Sequence, residues 1–374
     1  MLRRLAVLAA LGLLLAAAPV RGAAPPSVDA AAYIVVDEAT GETLAQKAAD
    51  RELPMASTTK IMTALIVLER ANPYEELTVP ASAAIEGSSG RLETGERLTV
   101  RELLTALLVA SGNDAAVTLA RGVAGSQQAF VAEMNTRARE LGLTHTRFAN
   151  PHGLDAPGHH SSASDLVRLA SVAMRDSVFR RTVARRRASI PGPGGVGVRE
   201  YESENELLGA DSDVDGVKTG MTDDAGFTLV AHARRPALGV RLYAALIGSP
   251  RSAARARDGR RLLDWGFSQY VRATVVPAGA ALGRVPVQGR PGTSVPYGVA
   301  SALTVPLRLG MPLSQRVVVP ARVPAPVTAG QPLGLVSVLQ DGRVIGRGPL
   351  VATEGAGSPS LWDRLRAGVE ALVP

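Results

Sequence analysis

The chain has 374 residues, 46 % apolar and 20 % charged, enough for one large or two medium domains, each with its own core. Setting aside residues 1–22, which hold three arginines and no acids, lowers the formal charge from +7 to +4, so the remainder is only mildly basic. Aromatic residues are 3 % and cysteine is absent; this argues against base-stacking platforms, and no nucleic-acid partner is expected. It also excludes disulfides, thiol catalysis, zinc-thiolate sites and a lipoprotein anchor.

Arg3 and Arg4, the apolar run Leu5 to Ala18 and the small residues Gly22 to Ala24 read as a secretory signal over residues 1–22. A retained anchor is the alternative, but the apolar run falls short of the ~20 residues a spanning helix needs. Ala32 to Asp37 is a buried-strand pattern, followed by a turn at Ala39-Thr40-Gly41 and a short strand, Thr43 to Lys47. Ser57 opens an apolar helical stretch, Thr58 to Arg70. A second helix starts at Thr99, where Glu102 completes a capping box, and Ser111-Gly112-Asn113 breaks it before Asp114 to Ala120 resumes. Helices are predicted over Gln127 to Leu141 and Ser164 to Asp176, then strands over Val217 to Thr219, Phe227 to Ala233 and Val240 to Ile247. A last helix, Ala253 to Trp265, is expected to carry Arg255, Arg257, Arg260 and Arg261 on its outer side. This order predicts an α+β fold, an antiparallel sheet flanked by helices, over residues 23–272.

From Ala273 the composition turns to Val, Pro and Gly in short alternating runs, with a hairpin signal at Asp341-Gly342. Residues 273–355 read as a small all-β sandwich, a spacer or docking module. In the tail, 356–374, Leu361, Trp362, Leu365, Val369, Leu372 and Val373 share one arc of a helical wheel. Such a helix is too short to cross a bilayer of ~30 Å, and it reads as lying in the membrane surface. A helix packed on its own domain is the alternative.

The chain has three lysines, Lys47, Lys60 and Lys218, against 38 arginines. Lysine can lose its proton when desolvated and act as a base, whereas arginine stays charged. Lys60 lies in Ser57-Thr58-Thr59-Lys60 and Lys218 in Lys218-Thr219-Gly220, with Ser111-Gly112-Asn113 between them. A serine at a helix start sits near the positive end of the dipole, and a lysine three residues on lies on the same face, within reach of its hydroxyl. Ser111 and Asn113 offer a hydroxyl and an amide; Lys218 and Thr219 offer a cation and a hydroxyl for a carboxylate; Gly220 permits close backbone approach. Each motif alone is ordinary. Their order, with the two serines 54 residues apart and Lys218 107 after Ser111, is distinctive.

At these motifs the chain resembles the low-molecular-mass penicillin-binding proteins, the serine D-alanyl-D-alanine carboxypeptidases. The resemblance extends through Asn150-Pro151-His152-Gly153-Leu154-Asp155, Asp215-Gly216-Val217 and Leu262-Leu263-Asp264-Trp265-Gly266-Phe267. It implies a penicillin-binding/β-lactamase-like fold with a β-rich second domain and an amphipathic tail. It further implies Ser57 as acylated nucleophile, Lys60 as base, Ser111 as proton relay, Asn113 positioning the acyl chain, and Lys218 and Thr219 binding the terminal carboxylate. The backbone N–H groups of Ser57 and Met221 would form the oxyanion hole; relatives often have histidine where Met221 stands. Arg251 or Arg255 would assist carboxylate binding. The implied partners are peptidoglycan pentapeptide stems, β-lactams as covalent inhibitors and the periplasmic side of the cytoplasmic membrane, with no cofactor. The five histidines show no H-E-x-x-H spacing, and no metal is expected. No glutamate occurs between Leu141 and Arg199, so a class A β-lactamase would lack its deacylating base. A D,D-endopeptidase and a non-catalytic β-lactam sensor are the competing functions.

Overall fold

The computed structural model describes residues 22–209 and 213–370. The signal reading over 1–21, and Leu372 and Val373 of the tail, lie outside the described residues.

The chain divides into two compact units, 24–236 with 240–267, and 268–374 with 237–239. In the first, β1 (Ala32–Asp37) and β2 (Thr43–Lys47) form a hairpin ahead of a 3-10 turn, Ala56–Thr59, and α1 (Lys60–Arg70). Short strands β3 (Glu76–Thr78) and β4 (Arg97–Thr99) pair and lead into α2 (Val100–Leu108). The Thr99 side chain accepts from the Glu102 N–H while the Glu102 carboxylate accepts from that of Thr99, the reciprocal cap its sequence calls for. Helices α3 (Asn113–Ala124), α4 (Gln127–Glu140), α5 (Ala163–Ala173) and α6 (Ser177–Val183) follow, then the hairpin β5 (Arg187–Pro191) and β6 (Val198–Glu202). Strands β7 (Val214–Thr222), β8 (Gly226–Arg235) and β9 (Val240–Ser249) precede α7 (Ser252–Ser268).

The main sheet is antiparallel throughout, in the order β2-β1-β9-β8-β7. Tyr243, Ala245 and Ile247 of β9 face a core shared with α1 to α6, while Leu242 and Leu229 meet α7 on the other face. The helix approaches closely because Gly259 and Gly266 present no side chain: a Cβ there would stand 2.6 and 2.7 Å from those leucines. Two sequence expectations need correction. The helix expected over Ser164 to Asp176 is present as α5 but ends at Ala173, and Asp176 instead caps α6, a helix not expected from the sequence, accepting from the N–H groups of Val178 and Phe179. Arg255 does not lie on the outer side of α7. It is 3 % exposed, turned inward to the Glu206 carboxylate on the segment between β6 and β7.

Ahead of its C-terminal tail, the second unit is all-β. Its six-stranded sheet runs β14 (Leu313–Val318), β16 (Pro332–Gln340), β17 (Arg343–Ala352), β12 (Ser294–Val299), β11 (Ala281–Gln288), β15 (Val323–Pro324). A separate pair, β10 (Tyr270–Val276) and β13 (Leu303–Arg308), places Leu303 and Val305 beside Gly346 of β17. Asp341 and Gly342 both take positive φ in the two-residue turn joining Gln340 to Arg343, the geometry that matches strand twist in a tight hairpin. The tail forms α8 (Leu361–Glu370), with Leu361, Trp362 and Leu365 exposed. No described helix is long and apolar enough to cross a membrane.

Candidate active site

Ser57 sits on the 3-10 turn just before α1 and is half-buried. The preceding residue, Ala56, has φ +50, a left-handed conformation uncommon for a residue with a side chain. Strain of this kind persists where the surroundings over-determine it, and three contacts do so here. A Cβ on Gly153 would lie 2.1 Å from Ala56 O, and one on Gly220 would lie 2.7 Å from Ser57 N, so two glycine backbones brace the turn. The Thr59 hydroxyl donates to Ala56 O at 2.8 Å and lies 2.8 Å from His159 Nε2. Because His159 Nδ1 accepts from the Ala149 N–H at 2.9 Å, the ring proton belongs on Nε2, which donates to Thr59. Burial pushes His159 down to about 4, so this neutral tautomer holds at neutral pH.

Lys60 is fully buried in the first turn of α1. Its Nζ lies 2.8 Å from Ser57 Oγ, 2.7 Å from Asn113 Oδ1 and 2.7 Å from His152 O. None of these groups is anionic. Burial, then the nearby Lys218 cation, hold its pKa well below the ordinary lysine value, against a weaker pull from Glu204 and Asp114.

Between α2 and α3 the chain turns through Ser111, φ +59 and 2 % exposed, and enters α3 at Asn113. Asn113 Nδ2 donates to Glu86 O at 2.8 Å, which orients Oδ1 toward Lys60. Among the described residues, Ser111 Oγ forms no hydrogen bond to Ser57, Lys60 or Lys218. Asp114 accepts from the N–H groups of Gly90 and Leu92 at 2.8 and 3.2 Å and from the Ser89 hydroxyl at 2.6 Å. The same loop is gripped from its other side by Tyr201 of β6, whose hydroxyl donates to Gly90 O at 2.6 Å.

On the edge strand β7, Lys218 and Thr219 are buried and Met221 is 54 % exposed. Lys218 Nζ donates to Thr219 O at 2.8 Å, and burial pushes its pKa down to about 8. Of the two candidate arginines, Arg251 is exposed, whereas Arg255 is within electrostatic reach of Lys218. The Arg255 guanidinium is held by Glu206 at 2.7 Å and Glu204 O at 3.1 Å.

Ser57, Lys60 and Asn113 are thus in direct contact. Lys218 joins them through its field, and Gly220 through its backbone. Residues 20–250 match the family described as D-alanyl-D-alanine carboxypeptidase. The chain belongs to that family. Residues 270–356 match the C-terminal domain of penicillin-binding protein 5. The carboxypeptidase DacC of Escherichia coli (strain K12) is 32 % identical over 360 residues, 91 % of this chain and 87 % of that protein. DacF of Bacillus subtilis (strain 168) is 30 % identical over 87 % of this chain and 85 % of its own length. Among solved structures, penicillin-binding protein 5 from Haemophilus influenzae superposes with a TM-score of 0.65 at 28 % identity, covering 90 % of this chain and all of that one. The Streptomyces K15 DD-transpeptidase superposes at 0.63 and 31 % identity, covering 66 % of this carboxypeptidase-family chain and all of its own.

Sequence reading did not find His159, Asp114 or Tyr201. Asp114 directly follows Asn113 and was a visible carboxylate. Nothing local distinguishes it from a first-turn helix residue until the loop over 86–92 folds onto it.

Proposed function

We propose that the protein removes the terminal D-alanine from peptidoglycan pentapeptide stems through an acyl-enzyme on Ser57. The observation that carries this reading is the partner set of Lys60. A neutral amine has two N–H donors and one lone pair; Asn113 Oδ1 and His152 O take the donors. That leaves the lone pair for the Ser57 hydroxyl 2.8 Å away, the arrangement a general base requires.

Ser57 Oγ then attacks the carbonyl carbon of the penultimate D-alanine as Lys60 takes the hydroxyl proton. The oxyanion meets the backbone N–H groups of Ser57 and Met221, beside the contact that Gly220 makes possible. Collapse breaks the peptide bond, the leaving amine receives a proton through Ser111, and water later hydrolyses the ester. Lys218 and Thr219 hold the terminal carboxylate. Of the two arginines, the buried Arg255 suits a supporting role through its field at Lys218. Asn113 positions the acyl chain, and β7, the edge strand of the sheet, offers a place for an extended peptide to lie alongside it. β-Lactams would acylate the same serine.

The protein acts, in this reading, after export, on the periplasmic side of the cytoplasmic membrane. Leu361, Trp362 and Leu365 of α8 support peripheral attachment there. Mass analysis of products from purified pentapeptide muropeptides tests the reaction: free D-alanine is expected. Cleavage of cross-linked dimers without D-alanine release would make the enzyme an endopeptidase, and Ser57→Ala protein that still took up fluorescent penicillin covalently would reject the nucleophile.

A further inference from the structure

Charge and apolar exposure are both concentrated in the C-terminal part of the chain. Residues 23–272 hold 29 basic and 30 acidic residues, net −1, whereas residues 273–355 hold seven arginines against Asp341 and Glu354, net +5. Among the described residues, the exposed large apolar side chains include Leu313, Val318, Leu335 and Val344 of this stretch.

The strand register arranges part of this surface into two adjacent rungs across β14, β16 and β17. Val318 pairs with Leu335 and Leu335 with Pro349; one rung away, Arg316 pairs with Ser337 and Ser337 with Arg347. Directly opposed residues share a face, as do residues two apart. Val336 and Val338 are fully buried in the unit's core and Val317 packs against it, so the two rungs point the other way, outward. Val318 is 42 % and Leu335 39 % exposed, and both arginines are exposed. No carboxylate pairs with either arginine among the described residues.

We propose that this face of the β unit docks on an anionic membrane surface: the Arg316/Arg347 rung meets lipid phosphates and the Val318/Leu335/Pro349 rung enters the headgroup boundary. A soluble anionic polymer would satisfy the arginines but leave the apolar rung in water, whereas a lipid interface takes both. The exposed Leu361, Trp362 and Leu365 of α8 belong to the same compact unit, so the face and the tail form two attachment signals on one body. One weak signal gives only marginal, reversible binding; two give stable attachment.

The test uses the full chain and flotation with phosphatidylcholine vesicles, with and without phosphatidylglycerol, at several salt concentrations. Five proteins are compared: wild type, R316S/R347S, V318S/L335S, the tail variant W362S/L365S, and R101S/R181S, which loses the same charge from exposed sites on the catalytic unit. R316S/R347S is expected to bind anionic vesicles about thirtyfold more weakly with a shallower salt dependence, and R101S/R181S to bind as wild type. V318S/L335S is expected to lose binding without changing the salt slope. Unchanged circular dichroism and unchanged D-alanine release from small peptides check that each variant is folded. Equal losses in R316S/R347S and R101S/R181S, or wild-type binding by R316S/R347S, overturn the proposal. Loss in W362S/L365S alone assigns attachment to the tail and also overturns it. Loss in R316S/R347S alone leaves the face standing and rejects the tail. Binding of the arginine pair to a soluble polyanion but not to anionic vesicles would overturn it in favour of a wall polymer.

Discussion

Lys60, Lys218, Asp114, Asp258, Arg199 and Arg255 are each less than a tenth exposed in the catalytic unit, whereas the C-terminal unit buries, among the described residues, no charged side chain and only Gln269 and Gln340 of the polar ones. Buried charge is costly unless it is matched. Most of these groups are matched: Arg199 meets Glu96 at 2.7 Å, Asp258 meets Arg257 and the Asp29 N–H, Arg255 meets Glu206, and Asp114 takes backbone N–H groups. The two motif lysines differ. Their hydrogen-bond partners are neutral oxygens, so desolvation acts on them without a compensating ion pair and their pKa values fall. The C-terminal unit, whose core is built from valine and leucine, has nothing of this kind to tune. Chemistry is placed where the fold withholds a counter-ion.

That contrast is most directly broken at Lys60. Lys60→Arg keeps the cation but cannot supply a lone pair. Acylation by fluorescent penicillin is expected to fall about 10²–10⁴-fold, the usual contribution of a general base. Near-normal acylation would mean that a buried cation, not a neutral amine, is what Ser57 needs.

Lys218 sharpens the same point through pH. If its cation binds the carboxylate, kcat/KM falls as pH rises through about 8, where the folded protein releases that proton. Lys218→Ala should lose about 100-fold in kcat/KM, near the upper end expected for a charged hydrogen bond. Lys218→Arg should retain part of the activity and lose the alkaline limb, since arginine stays protonated. An unchanged limb in the arginine variant would assign it to another group.

A smaller effect is expected where matched polar groups only hold the site in place. His159→Ala leaves the Ala149 N–H and the Thr59 hydroxyl short of a partner, a cost of about 1–3 kcal/mol in denaturant unfolding. The folded pKa of about 4 lies below that of the unfolded chain, so the unfolded state binds more protons between roughly pH 6.5 and 4. Stability should therefore decline as pH falls through that window, and His159→Ala should flatten the decline. A wild-type slope in the variant would exclude His159 as its source.

The smallest effect belongs to the other unit. Gly342→Ala places a side chain at φ +74 in the β16–β17 hairpin and should cost about 1 kcal/mol. Because the hairpin is remote in sequence and unit from the chemistry, kcat/KM should be unchanged at a temperature where both proteins are folded. A parallel loss of activity would show that the units are energetically coupled.

Short-range features were legible in the chain: the Thr99–Glu102 cap, the break at Ser111-Gly112-Asn113 and the turn at Asp341-Gly342 each depend on a few consecutive residues. So was the lysine-poor composition that isolates Lys60 and Lys218. Helix α6 was missed because Asp176 reads equally as a helix end and a helix start, and only its two accepted N–H bonds decide between them. Arg255 was assigned to the surface because helical spacing gives a direction only after the packed face is known. His159 lies 100 residues from the Thr59 it orients, and Asp114 lies 24 from the Gly90 it holds. The residue types of the site were thus set by sequence alone. How far each lysine's pKa falls, which histidine nitrogen carries the proton and which arginine is buried depend on partners distant in the chain, and therefore on desolvation that only the tertiary structure imposes.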